Sequence, residues 1–193
     1  KEVAEKLTPE LIAQKLRLLE TGLQRDFGIT KPRLAVLALN PHAGDKGLMG
    51  DEEDRIISPA LKLADQAGLL AFGPYPADGF WGSGRIDTFD GILAMYHDQG
   101  LAPFKALYMN EGVNVTLGLE FVRTSPDHGT GYDIAGQGIA DPTSMRCALY
   151  TALDLYRSRR SYDEATRNPL RRLYHNRSRD DERLDTTSVP DEY

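Results

Sequence analysis

Residues 33–50 read RLAVLALNPHAGDKGLMG, and the first part of that stretch decides the fold class. RLAVLAL is almost wholly apolar and too short for an ordinary helix, so it reads as a strand buried on both faces, the kind found in parallel sheets. NPHAGDKGLMG is crowded with Asn, Pro and Gly and reads as the turn leaving the strand's carboxyl end. A second run of the same kind, GILAMYH at residues 91–97, leads into DQGL. The two runs deliver His42 and His97, half of the chain's 4 His, into polar loops. In open α/β sheets ligands gather at the carboxyl ends of the strands, so this pair is the first functional lead.

Working outward, Leu11, Ile12, Leu16, Leu19 and Leu23 recur at helical spacing. With Thr8 as N-cap, Pro9 in the first turn and Gly28 as a stop, they predict a helix over residues 8 to about 27. A second helix is predicted over residues 51 to about 67, bent at Pro59. Its acidic first turn (Asp51, Glu52, Glu53, Asp54), like Asp45, is explained by solvation and by the positive end of the helix dipole. LLAFGPYPADG follows Gly68 as a further strand, then comes a Gly-rich connector through Arg85. Residues 113–123, VNVTLGLEFVR, alternate as extended structure around a central Gly, and a last helix is predicted over residues 142 to about 156. Strands alternating with helices argue for α/β architecture. Beyond that helix the composition turns to Arg, Asp and Glu. The chain is therefore expected to divide into residues 1–156 and an exposed charged extension, residues 157–193, with RNPLRRLYH as its docking segment.

With 193 residues and 40% hydrophobic content the chain is long enough for one substantial core. A net charge of -6 offers no general attraction to phosphate backbones or anionic lipid, so nucleic acid is not an expected partner. No apolar run approaches the roughly 18–20 residues of a membrane span. The single Cys147 has no internal partner and fits a reducing, cytoplasmic compartment. The opening KEVAEKLTPE lacks Met and runs at once into a helix start, which predicts a piece of a longer protein.

Several side chains could carry chemistry. Neutral imidazoles such as His42 and His97 ligate divalent transition metals, and an adjoining carboxylate, Asp98, can bind metal, orient the ring or move a proton. The plain alternative is a pair of hydrogen-bonded loop residues. Asp78, in PYPADGF, is either a proton carrier or a turn-capping Asp. Lys105, Asn114 and Arg123 are the groups that converge on phosphates and carboxylates, or else ordinary surface residues. DHGTGYDIAGQGIADP, residues 127–142, is rich in Gly and Asp. Small residues there let backbone approach a flat ligand and an Asp accept from ribose hydroxyls, the alternative being a mobile Gly-rich loop. It is not the GxGxxG fingerprint of the Rossmann fold.

The ordered set LNPHAG, MGDEE, GPYPAD, AMYHDQGL, the Lys105 region, GVNVTLGL, FVRTSPDHGT and DIAGQGIAD resembles the 4-hydroxythreonine-4-phosphate dehydrogenases of pyridoxal phosphate (vitamin B6) biosynthesis, over residues 8 to 156. The resemblance implies an isocitrate/isopropylmalate dehydrogenase-like α/β/α sandwich, of which this chain is the C-terminal part. It implies NAD and a divalent metal (zinc, or Mg, Co or Mn) as cofactors, and a homodimer with its active site at or near the interface. The implied reaction oxidises 4-(phosphooxy)-L-threonine to a β-keto acid that decarboxylates to 3-amino-2-oxopropyl phosphate. Carried onto this sequence, the metal ligands are His42 and His97, with a third His expected upstream of Lys1. The substrate contacts are Lys105, Asn114 and Arg123, and the adenosine-binding loop holds His128, Gly129, Thr130 and Asp133. Asp98, Asp78 or Lys105 relays the proton. The alternatives are a relative acting on a four-carbon sugar acid phosphate, an isopropylmalate-type enzyme with a carboxylate metal site, and a catalytically incomplete fragment that only dimerises or binds dinucleotide.

Overall fold

The computed structural model describes residues 2–170. A single helical turn, α1 (Val3–Lys6), precedes α2 (Pro9–Phe27). Thr8 Oγ1 accepts from the Leu11 N–H at 3.2 Å, satisfying one of the orphan amides of the first turn, and Gly28 closes the helix in the left-handed region at φ 73°. Next comes β1 (Arg33–Leu37), then a tight turn over Pro41–Gly47, and then α3 (Ser58–Gln66). The expected bend at Pro59 takes the form of a π-helical turn, Glu53–Ile57, directly before α3. Proline supplies no N–H to the preceding turn, and a locally widened helix accommodates the loss.

β1 is the centre of a parallel sheet completed by β2 (Leu70–Tyr75) and β3 (Gly91–Leu93), in the order β2-β1-β3. The alternation of β1 explains why it is apolar from Leu34 onward. Leu34 and Val36 enter a core with Ile12, Leu16, Ile56, Ile57 and Ala60 from α2, α3 and the π turn. Ala35 and Leu37 face the opposite side, where Phe80 of α4 (Ala77–Gly82) packs with Tyr75, Trp81 and Phe89. Phe80 and Trp81 meet edge to face at 5.6 Å between centroids. Each large apolar side chain so buried contributes roughly 1.5–3 kcal/mol. The α/β class and a sheet covered on both faces are thus as expected.

The remainder is built on α5 (His97–Tyr108), the antiparallel pair β4 (Val113–Val115) and β5 (Thr124–Pro126), and α6 (Thr143–Thr166). Four sequence expectations are corrected here. GILAMYH is a strand for three residues only, half-buried at one side of the sheet. His97 then opens a helix, α5, that the Gly and Pro within DQGLAPFKALY conceal. Residues 113–123 are the first strand and the loop of a hairpin that returns as β5 rather than one extended run, because the chain reverses around Gly118 with φ 82°. The last helix does not stop near Tyr156. It continues through the expected boundary at residue 157 because Arg159, 7% exposed, pairs with Asp26, 4% exposed, on α2. Both bonds of that pair are 2.7 Å, and Arg159 Nη1 also donates to the carbonyls of Leu119 and Glu120. Of the charged extension, residues 171–193, which include the second half of RNPLRRLYH, lie outside the described residues.

Candidate active site at the carboxyl edge of the sheet

Because β1, β2 and β3 run parallel, the turns after them leave one edge. β1 leads to His42, β2 to Asp78 in the first turn of α4, and β3 to His97 and Asp98 at the start of α5. Three elements thus place four of the sequence-selected side chains along one rim.

The His42 turn is unusual in its backbone. His42, Ala43, Gly44, Asp45 and Lys46 all have positive φ, at 52°, 53°, 85°, 43° and 54°. Left-handed backbone costs an L-residue roughly 1–2 kcal/mol, so the surroundings must over-determine the turn. Asn40 shows how. Its N–H donates to Glu53 Oε1 at 2.7 Å, and its side-chain amide donates to Glu52 Oε2 at 2.7 Å and Glu53 Oε2 at 3.0 Å. The Met49 N–H closes the turn onto Gly44 O at 3.0 Å. Gly44 is needed for space as well as for its φ, since a Cβ there would sit 2.7 Å from Gly50 O and 2.8 Å from Glu53 Oε2. Solvation does not explain Glu53, which is only 4% exposed. The signal in the sequence is its spacing, since Glu53, Ile56, Ile57 and Ala60 fall on one helical face.

At the neighbouring strand end, His97 Nδ1 lies 2.7 Å from Asp98 Oδ1. An ionised carboxylate only accepts, so Nδ1 is the donor in this contact, and a neutral ring bonded this way presents Nε2, the nitrogen that can ligate a metal. Asp98 therefore orients the ring. Gln99, quoted in the sequence motif but given no role there, reaches across to β1: its Nε2 donates to Ala38 O at 2.8 Å. Two imidazoles suit a divalent ion with nitrogen preference and form part of a donor set. Among the described residues no group of three or more His, Cys, Asp or Glu side chains comes together to hold an ion.

The three residues expected to contact an anionic substrate sit on other elements. Asn114 pairs with Ser125 across the hairpin, and the Thr116 N–H donates to Arg123 O at 3.1 Å, so Asn114, Thr116 and Arg123 share one face. Arg123 Nη1 donates to Thr116 Oγ1 at 2.9 Å and remains largely exposed. Lys105 projects from α5 to the end of β5, with Nζ 3.2 Å from Asp127 O and 3.7 Å from its carboxylate. The hairpin thus joins two of the trio, and Lys105 is engaged at its far end.

His128, Gly129, Thr130 and Asp133 line a single cavity of about 600 Å³, closed by Asn110 after α5 and by Asp141 and Ser144 at the start of α6. Asp141 accepts from the Thr143 N–H at 2.9 Å and from its hydroxyl at 2.6 Å, and these bonds hold its carboxyl below the ordinary Asp value. Ser144, which sequence reading passed over, is buried. Its hydroxyl donates to Gly112 O at 3.1 Å and accepts from the Asp127 N–H at 3.3 Å, bracing the start of the Gly-rich loop. No helix among the described residues is long and apolar enough to cross a membrane.

Comparison with known proteins places these features in context. The family described as "Pyridoxal phosphate biosynthetic protein PdxA" matches residues 1–152. A 4-hydroxythreonine-4-phosphate dehydrogenase of Bacteroides thetaiotaomicron is 54% identical over 192 residues, covering 100% of this chain and 53% of the relative. That of Erythrobacter litoralis is 52% identical over 151 residues, covering 78% of this chain and 45% of the relative. The 4-hydroxythreonine-4-phosphate dehydrogenase structure from Klebsiella pneumoniae superposes with a TM-score of 0.70 at 39% identity, covering 80% of this chain and 47% of that one. The chain spans about half the length of the curated relatives it matches.

Proposed function

The chain belongs to the pyridoxal phosphate biosynthetic protein PdxA family, and from that premise we propose that it forms part of an NAD-dependent, metal-assisted dehydrogenase of 4-(phosphooxy)-L-threonine. The observation that carries the reading is the common edge of the parallel sheet, to which β1, β2 and β3 bring His42, Asp78, and His97 with Asp98.

His42 and His97 hold the divalent ion, zinc or one of Mg, Co and Mn, together with a further donor from outside the described residues. Such an ion supplies Lewis acidity toward the substrate alcohol, and the nicotinamide supplies the hydride acceptor. Asp98, bonded to His97 Nδ1, would orient the ring and leave Nε2 as the nitrogen available to the ion. Asp78, exposed and without a side-chain bond among those described, is the freest of the three proton relays, since Asp98 holds His97 and Lys105 holds Asp127. Arg123, Asn114 and Lys105 bind the anionic ends of the substrate and so orient the reacting carbon. The cavity lined by His128, Gly129, Thr130 and Asp133 takes the adenosine half of NAD. There the Asp133 carboxylate accepts from ribose hydroxyls and repels a 2′-phosphate. The oxidised product is a β-keto acid, and its decarboxylation gives 3-amino-2-oxopropyl phosphate. In the assembly a second copy completes a homodimer with the site near its interface, in the cytoplasm.

The test is nicotinamide reduction by the chain, alone and after addition of the complementary half of the Bacteroides thetaiotaomicron relative, with zinc present. We expect NADH to form with 4-(phosphooxy)-L-threonine in the complemented sample, and to be lost in His42→Ala and His97→Ala. Turnover confined to a four-carbon sugar acid phosphate would overturn the substrate assignment.

A further inference from the structure

One buried hydroxyl joins two of the segments that wall the cavity around Asp133. Ser144 Oγ donates to Gly112 O at 3.1 Å and accepts from the Asp127 N–H at 3.3 Å. The register of the β4–β5 hairpin shows what this bridge replaces. Its pairs are Val115 with Thr124, Asn114 with Ser125 and Val113 with Pro126, so the next in line is Gly112 with Asp127. Hydrogen-bonded pairs alternate along an antiparallel ladder. Thr116 donates to Arg123 O, which puts the bonded positions at Thr116, Asn114 and then Gly112. At Gly112 the Ser144 hydroxyl stands between the Asp127 N–H and the Gly112 carbonyl, where the direct rung belongs. Beyond it one strand leads back to Met109 and Asn110, the other on to His128 and Gly129, and all four line the cavity together with Ser144. Asp127 is also held at its carbonyl, which accepts from Lys105 Nζ at 3.2 Å.

From this geometry we infer that Ser144 is a positioning residue for the cofactor: by taking the place of the last rung, and acting through Asp127, its hydroxyl sets the spacing of the two segments that wall the NAD cavity. The inference rests on the reading of that cavity as the adenosine site. The chemistry explains the residue type. A hydroxyl donates and accepts through one small atom, whereas Ala does neither. Without the bridge, the Asp127 N–H and Gly112 O either bond each other directly, which draws the segments together, or stay buried and unpaired, which loosens both. Either way the start of the Gly-rich loop moves. Lys105 restrains the same residue from its carbonyl side, so its influence on the loop is tied to that of Ser144.

The experiment is NAD titration of the full chain by calorimetry, with thermal melts recorded alongside. Ser144→Ala deletes the bridge. Ser144→Cys, which puts a larger and weakly bonding sulfur in its place, is measured in parallel so that a folding defect in one variant leaves the other readable. We expect NAD to bind roughly tenfold more weakly in both variants. We also expect Lys105→Met to weaken NAD in the unsubstituted chain and to do so less in the Ser144→Ala background, since two side chains acting on one residue give losses that do not add. Unchanged NAD affinity in folded Ser144 variants overturns the inference and leaves the hydroxyl a role in stability alone. So does an equal effect of Lys105→Met in both backgrounds, because Asp127 is then not the joint through which Ser144 acts. NAD that fails to bind the unsubstituted chain, or binds it with an affinity indifferent to Asp133→Ala, removes the cavity reading itself, and that result is visible before Ser144 is altered.

Discussion

The guanidinium of Arg159 grips the carboxylate of Asp26 through two parallel bonds of 2.7 Å, both groups being almost wholly out of solvent. The pair joins α6 to α2, and its extra bonds to Leu119 O and Glu120 O hold the hairpin that carries Asn114 and Arg123. Breaking such a pair on one side leaves an uncompensated buried charge. Arg159→Met or Asp26→Asn is expected to lower stability by about 3–5 kcal/mol in denaturant titrations. The double variant Asp26→Leu with Arg159→Met should recover part of the loss, but not the share belonging to the two carbonyls left without a donor.

A second, more exposed tie between the same helices gives a pH dependence. Arg25 bonds Asp163 at 2.9 and 2.7 Å, and that hydrogen bond, ahead of all other influences, holds the Asp163 carboxyl below its ordinary range. A carboxyl depressed in the folded state stabilises fully above its unfolded value of about 3.9 and loses that contribution as pH falls through the folded value. The melting-temperature gap between the unsubstituted chain and Asp163→Asn should therefore be present at neutral pH and close below about pH 4. A gap that widens in acid would contradict the assignment.

Glycines in the His42 turn separate conformational strain from steric fit. Gly44 and Gly47 both have positive φ, at 85° and 92°, yet a Cβ on Gly47 meets nothing within 4 Å whereas one on Gly44 collides with Gly50 O. Gly47→Ala should cost roughly 1–2 kcal/mol through backbone alone. Gly44→Ala should cost more and should also weaken zinc binding, because relieving the collision displaces His42. Melts and zinc titration on the two variants decide the point.

Asp133 offers a test of the cavity. If it accepts from the adenine ribose, Asp133→Ala should weaken NAD by about 1.5–3 kcal/mol, roughly ten- to a hundredfold in calorimetry, and narrow the preference over the 2′-phosphorylated cofactor. Gln137→Ala is the natural control, since its amide donates to the Asp133 carbonyl and leaves the carboxylate untouched.

Local signals in the sequence were sufficient for α2, β1 and the turns at the carboxyl edge. Thr8 and Gly28 mark their helix by chemistry that acts within a few residues, and the apolar run of β1 reports a burial that no tertiary detail can disguise. The rim of His42, Asp78 and His97 followed from the same rule. Hidden from that reading were features made by distant partners. Arg159 looks like part of a solvated tail until Asp26, far away in sequence, is placed beside it. Glu53 looks like a helix-start acid until Asn40 turns back on it, and Gln99 is an unremarked amide until Ala38 arrives from another strand. α5 was obscured differently, because Gly100 and Pro103 weaken its propensity and packing prevails.

The sheet also bears on how the chain behaves in solution. Among the described residues, β2 and β3 each turn one side toward no neighbouring strand. Unpaired backbone of that kind templates the addition of foreign strands unless it is blunted. β3 is blunted by its brevity, and the second half of β2 by Pro74, which has no N–H to offer. The first half of β2, with Leu70 and Phe72 exposed, has no such protection, so self-association at high concentration should begin there and a charged residue at Leu70 should suppress it.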